Sequence, residues 1–244
     1  MTNKYKAIAL IPARAGSLRV KSKNTRVLMG HPLIAYSIAA AKESNVFAEV
    51  LVSTDCENIA SIAKKYGASV PFLRPAKFAT STSPDIQWIK HAFENVKSSS
   101  YEIFSILRPT SPLRSASTIR RAYQQFIDYE VDSLRAVELC REHPGKMWQV
   151  ENEKLMKPFL DQTGMEIPFH SRQYQDLPTV YIQNSSFEMA WVSNLQNYNA
   201  KDGKIFAPFF TDPWEGFSID YEDDWLLLEH YLNTGKAALP KVVL

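Results

Sequence analysis

The chain has 244 residues, 45% of them hydrophobic and 22% charged, which suits one α/β domain carrying an insertion and excludes a wholly disordered polypeptide. Its 28 Lys and Arg against 26 Asp and Glu leave a formal charge of +2. That balance lacks the basic field that non-specific nucleic-acid binding needs, while leaving room for a local basic pocket for a small anion. No apolar run nears the roughly 20 residues that span a bilayer, and the run ending at Pro12 is too short for a secretory leader. A cytoplasmic protein with no membrane or nucleic-acid partner is expected. Cys56 and Cys140 lack zinc spacing, and the histidines are scattered.

Strand and helix signals alternate through the first half. Lys6–Pro12 is a short apolar run, read as a buried parallel strand. Pro32 opens a helix with Ile34, Ile38 and Ala41 on one face, and Val50–Ser53 is a second strand. A helix from Glu57 turns Ile59, Ile62, Ala63 and Tyr66 inward until Gly67 stops it. Val70–Leu73 reads as a third strand. Ser83, Pro84 and Asp85 read as N-cap, first helical position and first-turn acid, followed by a stripe of Ile86, Ile89, Phe93 and Val96. Ile103–Leu107 is a fourth strand, and Ser117 caps a helix with Ile119, Tyr123 and Phe126 inward.

The alternation breaks near Arg141. Arg141–Pro178 is rich in Pro, Lys, Glu and Gln, with Met147, Trp148, Phe159 and Phe169 interspersed, and reads as an arm toward another subunit or a flap over the site. Strand signals resume at Phe187–Val192 and Ile205–Phe210, and a helix over about Tyr221–Leu232 follows. Strands alternating with helices predict an α/β fold, one domain over residues 1–244, with a mainly parallel, Rossmann-like sheet between helical layers. Ligands of such sheets sit beyond the carboxyl ends of the strands, which singles out the loops after Pro12, Ser53, Leu73 and Leu107.

The first of these loops, Ala13–Asn24, carries Arg14, Gly16, Arg19, Lys21 and Lys23. Glycine lets backbone N–H groups approach a phosphate, and the basic side chains neutralise it. Neither G-x-x-x-x-G-K-[ST] nor G-x-G-x-x-G is present. The plain alternative is a solvated basic loop.

The run Ile11-Pro12-Ala13-Arg14-Ala15-Gly16-Ser17, followed by Lys23-Asn24, resembles the nucleotide-binding loop of the acylneuraminate cytidylyltransferase family. Val52-Ser53-Thr54-Asp55, Leu73-Arg74-Pro75-Ala76 and Arg108-Pro109-Thr110-Ser111-Pro112-Leu113-Arg114 resemble three further motifs of that family, in order, across about the first 140 residues. The resemblance implies a three-layer αβα sandwich that transfers a cytidylyl group from CTP to the anomeric hydroxyl of a nine-carbon acidic keto-sugar, releasing pyrophosphate, as a homodimer whose arm would be Arg141–Pro178. By the same likeness, Ala13, Arg14, Gly16, Ser17, Lys23, Asn24 and Arg74 fall at nucleotide-binding positions. Arg14, Lys23 and Asp220 would be catalytic, Asp220 would hold Mg²⁺, and Arg108, Thr110, Ser111, Gln175 and Asn184 would face the sugar. Asp220 also reads as the N-cap of the following helix.

Departures from the pattern accompany the matches. Leu18 stands where the family has lysine, with Arg19 and Lys21 close enough in sequence to substitute. Ser218 replaces the first aspartate of the family's D-x-D, leaving Asp55, Asp212, Glu215 or the phosphates to complete a Mg²⁺ shell. Arg108 replaces a glutamine and offers a bidentate partner for a carboxylate. Tyr174 replaces an arm arginine, and only Asn184 survives from an R-x-N-G. A different acidic nonulosonate, such as legionaminate or pseudaminate, is the simplest reading. A nucleotidyltransferase for another sugar or sugar phosphate, and a catalytically silent nucleotide-binding homologue, are the alternatives. Trp88 and Trp225 read as core, His143 and His170 as surface or interface, and Asp55 as a ribose contact or a helix cap.

Overall fold

Ala7–Pro12 (β1) is the centre of the architecture, because strands pair with both of its edges and apolar side chains leave both of its faces. The computed structural model describes residues 4–96 and 100–243. These fall into two compact units, Met1–Ala136 with Asn184–Leu244, and Val137–Gln183. In chain order, β1 is followed by a small hairpin of Val27–Leu28 (β2) and His31–Pro32 (β3), then Leu33–Ser44 (α1), Phe47–Ser53 (β4), Glu57–Lys65 (α2) and Asp85–Asn95 (α3). Next come Ile103–Ile106 (β5), Ala116–Asp128 (α4), Ser133–Leu139 (β6), Trp148–Asn152 (β7) and Leu155–Pro158 (β8). Tyr181–Trp191 (β9), Asn194–Asn197 (α5), Phe206–Phe210 (β10) and Glu222–Asn233 (α6) complete the series.

Six strands form one sheet in the order β10-β6-β9-β5-β1-β4. β1 runs parallel to β4 and to β5, while β9 pairs antiparallel with β5. Side chains alternate across β1, as the twofold strand period requires. Ala7, Ala9 and Ile11 join one buried cluster with α1, α2 and α4, whereas Ile8 and Leu10 join another with Trp88, Ile89, Ala92 and Phe93 of α3. The result is a three-layer αβα unit. A third cluster joins Val20, the β2–β3 hairpin, Ile219 and the α6 residues Trp225 and Leu228. That cluster anchors the first loop and the final helix to each other. β1 lies between the strand that follows it and the strand reached by crossing back, so the crevice at its carboxyl end is a topological switch point.

Several elements differ from the sequence expectation. The expected strand Val70–Leu73 is only an isolated bridge, Leu51 with Ser69, because Pro71 cannot donate to a ladder. Ser83 does not cap α3: its hydroxyl accepts from Thr80 N and donates to the Lys77 carbonyl, and the helix starts after Pro84. The buried face of α3 is Trp88, Ile89, Ala92 and Phe93, with Ile86 only half-buried. The cap of α4 is Ser115, in a capping box with Thr118, and Ser117 sits inside the helix. β6 was not anticipated, and β9 begins six residues before Phe187.

In the second unit, β7 and β8 pair antiparallel, with every residue from Trp148 to Lys157 in the two strands exposed. Its loops are tied by polar anchors. His143 accepts from Gly145 N at 2.9 Å, Gln162 donates to the Gly145 carbonyl at 3.1 Å, and Lys146 donates to the Arg172 carbonyl at 2.7 Å.

Candidate active site

The first loop is folded rather than slack. Ala13 N donates to the Ser53 carbonyl at 3.0 Å, continuing the β1–β4 pairing past the strand end. Asp55 accepts from Ala15 N at 2.9 Å, so it pins the loop and does not cap α2, whose N-cap is Cys56. The Asn24 amide donates to the Arg14 carbonyl at 3.0 Å, while its own carbonyl accepts from Ile34 N at 3.1 Å. Val20, fully buried in an otherwise basic segment, holds the loop tip against α6.

These restraints frame a cavity of about 370 Å³ at the carboxyl ends of β1 and β5. Pro12, Arg14, Ser17, Leu18, Arg19, Lys23, Asn24, Arg74, Phe78, Thr80, Ser81, Ser83, Asp85, Trp88, Arg108, Pro109, Thr110 and Asp220 line it. Five cations therefore face two carboxylates, a surplus that suits a polyanion. Arg14, Lys23 and Arg74 take part in no salt bridge among the described residues.

Lys23 donates to the Ile219 carbonyl at 2.7 Å. Burial lowers its pKa, and the nearby charges of Asp220 and Asp224 oppose that fall only in part. Arg74 is buried, with its Nε on the Ser53 hydroxyl at 3.0 Å, its Nη2 on the Ser53 carbonyl at 2.6 Å, and its plane over the Trp88 ring at 5.0 Å. Burial lowers its pKa to about 10, so it remains charged at neutral pH. Arg19, whose direction the sequence left open, lines the cavity and stacks over Tyr221 at 5.1 Å.

Arg108 is already engaged. Its Nη2 donates to Asp85 at 2.5 Å and to Glu188 at 3.0 Å. Glu188 also holds Arg135 at 2.8 Å and Lys201, and Arg135 and Lys201 both reach Asp202. Three cations and three carboxylates thus form one neutral cluster. Burial raises the Asp85 pKa, but the charge and hydrogen bonds of Arg108 outweigh it, so the net shift is downward. Asp85 and Glu188 escaped the sequence reading. Asp85 showed there only as a first-turn acid. The available signal for Glu188 was one carboxylate inside the apolar run Phe187–Trp191.

Of the residues singled out by resemblance, Arg14, Ser17, Lys23, Asn24, Arg74, Arg108, Thr110 and Asp220 line this cavity. Four others of the first unit do not. Ala13 is wholly buried, with its N–H committed to Ser53. Gly16 is exposed, has no positive φ, and a Cβ there would meet nothing within 4 Å, so the fold itself does not require glycine. Ser111 is wholly buried. The Asn184 amide donates to the Thr211 hydroxyl at 2.9 Å and accepts from Ser186 N at 3.1 Å. Gln175 belongs to the second unit, in an exposed turn over Tyr174–Asp176.

For a divalent cation the protein supplies few ligands. No group of three or more His, Cys, Asp or Glu suited to a metal occurs among the described residues. Asp212 and Glu215 are bound to Arg121, each at 2.7 Å, and hold α4 instead. The Ser218 hydroxyl is buried without a hydrogen-bond partner among the described residues and does not line the cavity. Asp220 is not the cap of α6. That role belongs to Tyr221 and to Asp224, whose carboxylate accepts from Asp220 N at 2.8 Å and Tyr221 N at 2.7 Å. The Asp220 side chain is left on the cavity wall beside Lys23. One carboxylate, with phosphates and water, is a donor set of the kind Mg²⁺ accepts.

Comparison with known proteins agrees with this geometry. A family model described as cytidylyltransferase matches residues 8–214. The chain is 34% identical over 238 residues to a CMP-N,N'-diacetyllegionaminic acid synthase of Legionella pneumophila, covering 95% of this chain and 98% of that protein. It is 32% identical over 230 residues to the post-translational flagellin modification protein B of Campylobacter coli, covering 93% and 94%. In fold it is similar to a CMP:2-keto-3-deoxy-manno-octonic acid synthetase solved with CTP, with a TM-score of 0.69 at 15% identity over 94% of this chain and 99% of that one. A β1 buried from Ala7 to Ile11 and ending in a basic loop, a cation-rich cavity at the switch point and a match across most of the length lead to one conclusion: the chain belongs to the cytidylyltransferase family and is a nucleotidyltransferase.

Proposed function

We propose that the protein transfers the cytidylyl group of CTP to the anomeric hydroxyl of an acidic, N-acylated nonulosonic acid of the legionaminate kind. The observation that carries this reading is the 34% identity to a CMP-N,N'-diacetyllegionaminic acid synthase along nearly the whole of both chains. The sugar oxygen bonds to the α-phosphorus, the bond to the β-phosphate oxygen breaks, and pyrophosphate leaves with the electron pair. The hydroxyl proton passes to solvent.

The chain's own part is positioning and charge neutralisation. Arg14, Lys23 and Arg74 face the triphosphate, with Lys23 held by the Ile219 carbonyl and Arg74 by Ser53. Ser17 and Asn24 complete the nucleotide side, and Arg108 and Thr110 the sugar side. Asp220 would hold Mg²⁺, which when bound would neutralise phosphate charge.

The second unit, as an arm, would pair with a second copy. Val150, Leu155, Met156 and Phe159 are each about 60% or more exposed on and beside its hairpin, and an apolar surface of that kind calls for a partner. No helix among the described residues is long and apolar enough to cross a membrane. The reading places the reaction in the cytoplasm, feeding surface glycan synthesis.

The test is pyrophosphate release with CTP, Mg²⁺ and a panel of nonulosonic acids, alongside UTP, ATP and GTP. Release that requires CTP and one acid is expected. Preference for another nucleotide or a sugar phosphate would replace this reading with a different nucleotidyltransferase. CTP binding without release across the panel would mark a silent homologue.

A further inference from the structure

The Asp85–Arg108–Glu188 cluster lies partly in the cavity wall and is not explained by phosphate binding. A guanidinium has two edges that grip a carboxylate with paired donors, one formed by Nε and Nη2, the other by Nη1 and Nη2. Both edges need Nη2. In Arg108 that nitrogen donates to both Asp85 and Glu188, so each edge has lost one of its two donors. The Nε and Nη1 groups make no hydrogen bond among the described residues, and the side chain is 27% exposed at the cavity. An incoming carboxylate would also meet Asp85, itself part of the cavity lining. What remains is single N–H donors beside a cluster of zero net charge. Such a group is matched to an uncharged oxygen and mismatched to an anion.

We propose that Arg108 is a specificity-determining residue that donates to the carbonyl oxygen of an acylamino substituent on the acceptor sugar, and that Asp85 and Glu188 are the positioning residues that hold it for that purpose. This rests on the reading that the acceptor is an N-acylated nonulosonic acid. Phe78, also in the lining, supplies an apolar surface suited to an acyl methyl group. The sugar carboxylate is then left to cations of the cavity that carry no carboxylate partner. Asp85 is doubly held, since its second oxygen accepts from the Trp88 indole at 2.8 Å. The pair is therefore rigid before substrate arrives, which is what discrimination by a single hydrogen bond needs.

The experiment compares kcat/KM, by pyrophosphate release, for N,N'-diacetyllegionaminic acid and two analogues, each with one acetamido group replaced by hydroxyl. The intact enzyme should favour the diacetyl acid over one analogue by at least about 10-fold, the lower range for one charge-assisted hydrogen bond. Arg108→Met should bring that ratio close to unity. Arg108→Lys, which keeps the cluster neutral, should lower it several-fold and serves if the methionine variant does not fold. A ratio unchanged in the variants, with both acceptors weakened alike, is the signature of a carboxylate clamp or a structural role and would overturn the proposal. Equal rates for all three acceptors with the intact enzyme would overturn it while leaving the proposed function standing. No release with any acceptor would remove both.

Discussion

Glu188→Gln isolates the charge at the centre of the buried cluster. The side chain is 7% exposed and touches Arg108 at 3.0 Å, Arg135 at 2.8 Å and Lys201. Glutamine keeps the shape but leaves three cations against Asp85 and Asp202, so the cluster passes from neutral to +1. Removing one partner of a buried ion pair costs about 3–5 kcal/mol, and about 3 kcal/mol is the better figure here because each cation keeps a second carboxylate or partial solvent access. For a chain of this size, 1 kcal/mol corresponds to about 2–4 °C, so Tm at pH 7 should fall by about 6–12 °C. Burial pushes the Glu188 pKa up, but Arg108, Lys201 and Arg135 outweigh it, so the folded value lies below the ordinary one. The stabilisation is therefore complete above the unfolded pKa of about 4.3 and is lost as pH falls through the folded value. Thermal unfolding followed by circular dichroism from pH 7 to pH 3 reads both effects. The difference between the two proteins should shrink below pH 4. A drop in Tm under about 2 °C at pH 7, or one as large at pH 3 as at pH 7, would refute the charge argument.

Three further outcomes are expected. Arg14→Ala should lower kcat/KM for CTP by at least about 100-fold, the scale of losing one preorganised donor to a developing charge. An unchanged kcat/KM would take the first loop out of the mechanism. Asp220→Asn should shift the Mg²⁺ dependence of pyrophosphate release to higher concentration with Tm unaltered, and an unaltered Mg²⁺ curve would end its assignment as the metal carboxylate. Val150→Glu with Met156→Glu, on the exposed hairpin, should convert a dimer to a monomer by light scattering, and a persistent dimer would move the interface elsewhere.

How far the chain was legible follows from which forces leave a local imprint. β1, α1 and α2 were readable because their apolar spacing is local and continuous. β6 was not, since Arg135 interrupts its apolar pattern, and that arginine is tolerated only because Glu188 and Asp202 meet it from distant parts of the chain. The β7–β8 hairpin was missed because exposure of all but one of its residues leaves no alternation to read. At the site, Arg14, Lys23, Asn24 and Arg74 were found by motif and fall on one cavity. Asp85 was seen only as a helix-start acid, because its meaning lies in Arg108, 23 positions away. Resemblance also pointed to Ala13, Gly16, Ser111 and Asn184, which do not line the cavity; Ala13 and Asn184 direct their hydrogen bonds to neighbouring segments. Motifs mark neighbourhoods, and only packing separates the side chain that faces a ligand from the one behind it.

The contact between Lys23 and the Ile219 carbonyl joins residues 196 positions apart. Ribosomes add about 5–20 residues per second, so the two ends of that contact leave the ribosome about 10–40 s apart. During that interval the emerging chain owns a basic loop without the buried segment that seats it or the carboxylate that balances it. The seat of Lys23 is thus missing until Ile219 has been made, and a chain terminated before that point carries the cationic half alone.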